Sequence, residues 1–406
     1  MDRRTALGGL TSLSLAMFAP WQASAQAGRK LKGYIRTNWS EDPLASGSYS
    51  YFAKGSNARD VKALEAPIEN RIFFAGEATY PHYNSTVHAA YESGQRVAGF
   101  VLDENVKSVA IIGAGMSGLS AAHTLSLADR TVTVFEARDR IGGRVWTRDE
   151  MGMPLDCGAS WIHGTHKNPL TDLADQLGLT RIETDEDYII RDGQGGIMAD
   201  RDAPEWLDDV TEIQHSIAAD PNQVNAWAYN WVTDYSGPEV IFPNGYAEVF
   251  KALRGDYKVQ LSTPVRQIIR QTDSVEIVTG ANISASFDAV IVTLPLGVLK
   301  HGTVDFIPPL PDRKAQAIQN LGMGTLDKVY LLFEDVFWDE DVTWIATPEN
   351  GLPKGQFNQW LNLYKYIEQP VIMAFNGGTP ALELAKFPDE IIVKRALQTL
   401  HMAYPA

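Results

Sequence analysis

The sequence predicts an α/β chain with a Rossmann-like dinucleotide-binding domain and a second domain. Three observations predict it. An apolar strand beginning at Val109 runs into Gly113-Ala-Gly115-Met-Ser-Gly118, and small residues then open a helix. A second strand, Thr131 to Phe135, ends in Glu136, near the distance of about 20 residues expected of a ribose-binding acid. The length, 406 residues, suits two domains at roughly 100–200 residues each.

Each part of the first motif has a physical task. Gly113 permits the tight turn, Gly115 lets a pyrophosphate approach the backbone, and Gly118 allows close packing of helix on strand. The helix N-terminus offers free N–H groups and a dipole to phosphates. NAD and FAD both fit this fingerprint. Composition narrows the class further. With 45% hydrophobic residues the chain is globular, and the single cysteine, Cys157, excludes a disulfide scaffold. A net charge of −15 argues against nucleic acid, whose phosphates require a basic face. It is compatible with a cationic small substrate.

Residues 1–27 read as an export signal. Arg3-Arg4 precede a mildly apolar run from Leu7 to Trp21, and Ala-x-Ala sites follow at 23–27. The arginine pair resembles a twin-arginine signal, which implies a periplasmic or secreted protein. No later stretch reaches 18 consecutive apolar residues, so no membrane span is expected.

After Glu136 come Arg138, Arg140, Gly142, Gly143 and Arg144, a second glycine pair with a cation for the pyrophosphate. This run resembles the flavin-containing amine oxidases: monoamine oxidases, polyamine oxidases and lysine-specific histone demethylases. Asp156-Cys-Gly-Ala159-Ser160-Trp161-Ile-His163-Gly is similar to the family's segment passing the flavin ring. Ile241 to Leu253 resembles the stretch ahead of the second adenine-side strand, with Val265 at the adenine end. Asp288 to Lys300 is a further signature, and Gly322 to Phe333 carries the family's lysine at Lys328.

The order of segments differs from the family's. There the nucleotide fingerprint opens the chain; here about a hundred residues precede it. Trp39 to Tyr51 resembles the family's late tryptophan and Gly-Ser-Tyr-Ser segment. Arg71 to Thr79, with Thr86 to Gly94, resembles its closing flavin-binding strand and helix. The sequence therefore reads as a circular permutation. A closing helix over Val87 to about Leu102 would end, and a strand over Val109–Ile112 would begin, on the side away from the ligand, joined by residues 103–108. Permutation is tolerated where termini lie close together. Ala406 should then lie near residues 28–36.

The resemblance implies non-covalent FAD in a domain of residues 42–165 and 236–305. It also implies a mixed-sheet α+β substrate domain of residues 28–41, 166–235 and 306–406. Glu77, after Gly76, would hold the ribityl chain. Thr86 and Val87 would bring the helix dipole to the flavin. Trp39, Glu136, Arg138, Gly143, Arg144, Ala159, Ser160, Trp161 and Val265 complete the expected cofactor set. Lys328 resembles the lysine that holds a water beside flavin N5 and would help O₂ accept electrons. Tyr49 matches an aromatic wall, and Thr86 stands where monoamine oxidases carry a second tyrosine. Ser48 stands in place of the cysteine that bonds the flavin. His163 and Trp360 are expected against the substrate, with Tyr364 beside Trp360, and no metal is expected.

The implied reaction is oxidation of a C–N bond by hydride transfer to flavin N5, giving an imine or aldehyde and H₂O₂. Polyamines or related amines are the expected substrates, reacting as the free base. An L-amino-acid oxidase, an amine dehydrogenase with another acceptor, and a non-catalytic FAD-binding protein are the alternatives.

Overall fold

A computed structural model describes residues 29–104 and 106–405. The expected export signal therefore falls outside the described residues, as does Ala406.

Five parallel strands form the first sheet. Their order is Lys258–Gln260, Thr131–Phe135, Ser108–Ile112, Ala289–Val292 and Ile72–Phe74. The central strands are almost wholly apolar because both faces are covered. On one face Val109, Ile111, Val132 and Val134 pack with Val97, Val101, Leu119 and Leu125 of the helices Val87–Asp103 and Met116–Leu127. On the other, Ala110, Ile112, Val290 and Val292 meet Ile268 and Ile277 of a four-stranded sheet. Alternate residues of each strand thus belong to different cores. The two helices touch closely at Gly94, where a Cβ would stand 2.2 Å from the Ser117 carbonyl oxygen.

The helix ends at Asp103 and the next strand starts at Ser108. Asp288 fixes that start by accepting from the Lys107 and Ser108 N–H groups, each at 2.8 Å.

A six-stranded mixed sheet forms the second layer system. Its order is Leu31–Arg36, Leu326–Phe333, Val371–Gly377, Gln359–Asn362, Trp344–Ala346 and Tyr188–Ile190. Only the last pairing is parallel. One face buries Val329, Ala374, Trp360 and Ile345 beneath Ile392, Ala396 and Leu400 of the long helix Asp389–Ala403. The opposite face packs Tyr330, Met373, Leu361 and Phe375 towards Leu155 and Cys157. Arg29 and Pro405 adjoin: the guanidinium donates to the Pro405 carbonyl at 2.9 Å. Among the described residues, no helix is long and apolar enough to cross a membrane.

Candidate active site

The glycine turn follows the strand Ser108–Ile112. Gly113 takes a φ of +110° and donates its N–H to the Phe135 carbonyl at 2.8 Å. Helix Met116–Leu127 begins at Gly115 with no side-chain cap, which leaves its first N–H groups for an anion. Gly142 donates to the Ala114 carbonyl at 2.8 Å and brings Gly143 against Gly115. A Cβ on Gly115 would find only the Gly142 oxygen, at 4.0 Å, and one on Gly143 only the Gly115 Cα, at 3.5 Å. Two bare backbones therefore face an open cradle.

Glu136 is 7% exposed and braces the turn, accepting from the Ala114 N–H at 2.7 Å and the Arg138 N–H at 2.8 Å. Arg138 donates to both carboxylate oxygens of Asp42 at 2.9 Å. Val265 is buried at the start of the strand Val265–Arg270, next to the loop in which Thr263 N–H donates to the Glu136 carbonyl.

Gly76 turns at a φ of +132° and donates to Ser93 Oγ at 2.9 Å. Beside it lies a small recess lined by Gly76, Glu77, Arg144, Leu294 and Leu296 among others. Buried Glu77 accepts from Arg144 Nη1 at 2.8 Å, Ser50 Oγ at 2.6 Å and the Ser85 N–H at 3.0 Å. Arg144 also donates to the Ser48 carbonyl at 2.9 Å. Glu77→Ala is expected to cost about 2 kcal/mol, a loss moderated because Arg144 keeps some contact with water. Thermal unfolding checks this. Thr86 caps the helix Val87–Asp103, accepting from the Ala89 N–H at 3.1 Å, so Val87 is its first residue.

The third part is the face of the six-stranded sheet that carries Lys328. Strand register sets Lys328 beside Phe375, and Phe375 beside Gln359. Two residues along, Tyr330, Met373, Leu361 and Trp344 form the next row. Trp161 stacks on Trp344 at 6.2 Å and leans on Phe375 at 6.2 Å, with Lys328 Nζ 5.8 Å from both Trp161 and Phe375.

All three donors of the Lys328 ammonium meet protein acceptors: Asp156 O at 2.9 Å, Gly158 O at 2.7 Å and Ser160 Oγ at 2.5 Å. Burial lowers its pKa to about 8, against the favourable charge of Asp156. Asp156 is itself pushed up to about 6 by burial, while Thr147 and the Tyr246 N–H favour its charged form. Ala159 is tied to Arg144 by an N–H···O bond of 3.1 Å. Trp39 lies buried behind this segment, donating to the Cys157 carbonyl at 3.2 Å. Tyr49 is half-buried and donates to the His215 carbonyl at 2.7 Å.

His163 stands at the outer edge, about half exposed, with Nδ1 2.6 Å from Glu239 Oε2 and its ring 6.5 Å from Trp161. Trp360 requires a correction. It points to the opposite face of the sheet from Lys328, wholly buried, with its N–H given to Thr347 Oγ1 and the Phe357 carbonyl at 3.1 Å. Its neighbour Gln359 lies on the face of Lys328, because one residue of register changes sides. Tyr364 packs into the same rear core. Trp344, Phe375, Gln359 and His215 were missed, because only strand pairing or chain crossing brings them to the face of Lys328, and Glu239 because only folding brings it to His163.

Comparison with known proteins decides the family. The profile described as flavin containing amine oxidoreductase matches residues 15–102, 116–203 and 181–406. The chain belongs to this family. Polyamine oxidase 4 of Oryza sativa subsp. japonica is 31% identical over 361 residues, covering 73% of each protein. Polyamine oxidase 2 of Arabidopsis thaliana is 30% identical, covering 76% of this chain and 74% of that one. Lysine-specific histone demethylase 2 of Homo sapiens is 27% identical over 73% of this chain and 44% of its own length. Among solved structures, cyclohexylamine oxidase from Brevibacterium oxydans IH-35A superposes with a TM-score of 0.57 at 23% identity. It covers 74% of this chain and 81% of that one, a likeness of fold.

The flavin-containing amine oxidase carries FAD, and the residues present fit that group. The bare Gly115–Gly143 cradle and the uncapped helix N-terminus suit a pyrophosphate. Glu136 stands at the end of the second strand, where the ribose-binding acid of such folds belongs. Glu77 and Arg144 line the adjoining recess.

Proposed function

We propose that this amine oxidase acts on polyamines or related amines, with O₂ as electron acceptor and FAD held without a covalent bond. The observation that carries the substrate class is the charge at the outer edge of the aromatic face. Burial raises the Glu186 carboxyl above the ordinary range, and the charges of Glu239 and Glu212 raise it further. A hydrogen bond to Trp344 opposes them. Glu186 beside Trp344, and Glu239 on the His163 that neighbours Trp161, suit a substrate with a second positive charge. The polyamine oxidases among the relatives support the same reading. Ser48, whose Oγ donates to the Leu326 carbonyl at 2.9 Å, supplies no thiol for a flavin bond.

When bound, FAD supplies the two-electron sink for the C–N bond. The chain's residues do the rest. Trp161, Trp344 and Phe375 exclude water from the reacting carbon. Lys328 keeps a cation in that dry space, and the outer carboxylates orient the distal ammonium.

An amine panel of polyamines, aromatic monoamines and basic amino acids, read by anaerobic flavin bleaching, tests the reading. Polyamines should bleach the flavin at the lowest concentrations. Preference for basic amino acids would replace the substrate class, and slow reoxidation by O₂ would replace the acceptor. The double substitution Glu186→Gln with Glu239→Gln is expected to raise the KM for spermidine about tenfold and leave that for benzylamine within about twofold. Equal effects on both would remove the charge argument.

We further propose that the segment order is a circular permutation of the family's, and that residues 1–27 direct export to the periplasm or the exterior. The first is supported by the Arg29–Pro405 contact and by the parallel pairing of the early strand Ile72–Phe74 with the late strand Ala289–Val292. The second rests on Arg3-Arg4, the apolar run and the Ala-x-Ala sites. A chain re-ordered to begin at Val109 and end at Asp103, with 405 and 29 linked, should fold and bind FAD.

A further inference from the structure

His215 lies in the short helix His215–Ile217, after the irregular turn Asp209–Gln214. The residue is 7% exposed, and its ring stands 5.7 Å from that of Phe375. Nδ1 is 2.5 Å from Gln359 Oε1. An amide oxygen only accepts, so Nδ1 carries the proton and Nε2 presents a lone pair. That Nε2 is buried and has no hydrogen-bond partner. A buried acceptor left this way costs stability unless something completes it.

Two contacts hold the ring in place. Tyr49 Oη donates to the His215 carbonyl at 2.7 Å, and Gln359 anchors Nδ1. Gln359 stands beside Phe375, which stands beside Lys328, in one row across the sheet. The ring that carries the unpaired acceptor is thus fixed on the same face as the aromatic wall, against Phe375. Its neighbours there cannot replace it: Phe375 has no acceptor, and an ammonium only donates.

We propose that His215 contacts the substrate, its Nε2 accepting a hydrogen bond from the N–H of the amine undergoing oxidation. This rests on the amine-oxidase reading above. An amine gives up a hydride as its free base, because the nitrogen lone pair must support the positive charge that develops. An acceptor on the N–H leaves that lone pair for the carbon and stabilises the charge as it grows. Burial holds the imidazole at about 4, so the lone pair persists at neutral pH. The bond orients the substrate, and no proton or electron is transferred to the ring.

The test compares the FAD-loaded parent with His215→Asn and His215→Gln. The Asn amide can keep the bond to Gln359 but places nothing where Nε2 lies. The Gln amide reaches that place and offers an oxygen. Anaerobic flavin reduction by putrescine, spermidine and cyclohexylamine, each over a range of concentrations, yields a limiting rate and a binding constant. Absorbance gives the FAD content of each variant. The ratio of rate to binding constant should fall about tenfold or more in His215→Asn, with FAD retained, and recover to within about threefold in His215→Gln. Should one variant be recovered without FAD, the other still decides. His215→Asn at the parent value, or His215→Gln below a tenth of it, overturns the assignment. A parent whose flavin no amine reduces overturns the amine-oxidase reading, and the role of His215 with it.

Discussion

Lys328→Met is expected to slow reoxidation of the flavin by O₂ about 100-fold, while anaerobic reduction by amine changes by no more than about threefold. The argument is electrostatic. The ammonium is the cation of the aromatic face, 5.8 Å from both Trp161 and Phe375, and its three donors are held by Asp156, Gly158 and Ser160. With no donor to spare, its contribution is a fixed positive charge in a dry setting, where charge acts strongly. Methionine keeps the length of the side chain and removes the charge. The same role predicts a pH dependence: the parent loses oxygen reactivity as pH rises through about 8, and the variant shows no such step.

Stability should follow its own course. Folding lowers the lysine pKa from 10.5 to about 8, so between those values the unfolded chain binds the extra proton. This site's contribution to stability therefore rises with pH across that window. Stopped-flow reduction and reoxidation, measured separately, check the main prediction. Unchanged reoxidation in Lys328→Met would remove the role assigned to the lysine.

The nucleotide half was legible because its determinants are local. The turn at Gly113, the helix opened at Gly115 and the acid after Phe135 lie within about 25 residues, and each acts on its near neighbours. The Lys328 face of the second sheet depends on register between distant strands. Lys328, Phe375 and Gln359 come from three strands, and nothing in any one of them says which side faces the cofactor domain. Trp360 shows the consequence. As a large aromatic residue it suggested a channel wall, yet pairing with Ala374 turns it to the rear core, and Gln359 takes the front. His215 was less accessible still. It sits after an irregular turn with no periodicity, and only its bond to Gln359 places it. The lysine motif singles out Lys328, but its partners lie on a distant segment, the backbone of residues 156–158 and Ser160, which no local pattern reveals.

The glycines of the nucleotide turn should separate folding from cofactor binding. Gly118→Ala is expected to destabilise the chain by at least about 3 kcal/mol, a large share of the total for a domain. A Cβ there would stand 2.0 Å from the Gly113 oxygen, 3.1 Å from its carbon and 3.2 Å from Ile111 Cγ2. Those atoms belong to the strand and its turn, so relief requires the helix Met116–Leu127 to move off the sheet. Gly115→Ala differs in kind. Its backbone, at a φ of −80°, is ordinary for alanine, and the new methyl meets only the Gly142 oxygen at 4.0 Å. The apoprotein should melt within a few degrees of the parent, or slightly higher, because alanine restricts the unfolded chain. The methyl nevertheless enters the space between Gly115 and Gly143, where a pyrophosphate must approach bare backbone. FAD affinity should fall about tenfold or more. Melting of both apoproteins, followed by titration with FAD, distinguishes the two effects. Full FAD affinity in Gly115→Ala would place the pyrophosphate elsewhere, and a parent-like melt for Gly118→Ala would contradict the close packing of helix on strand.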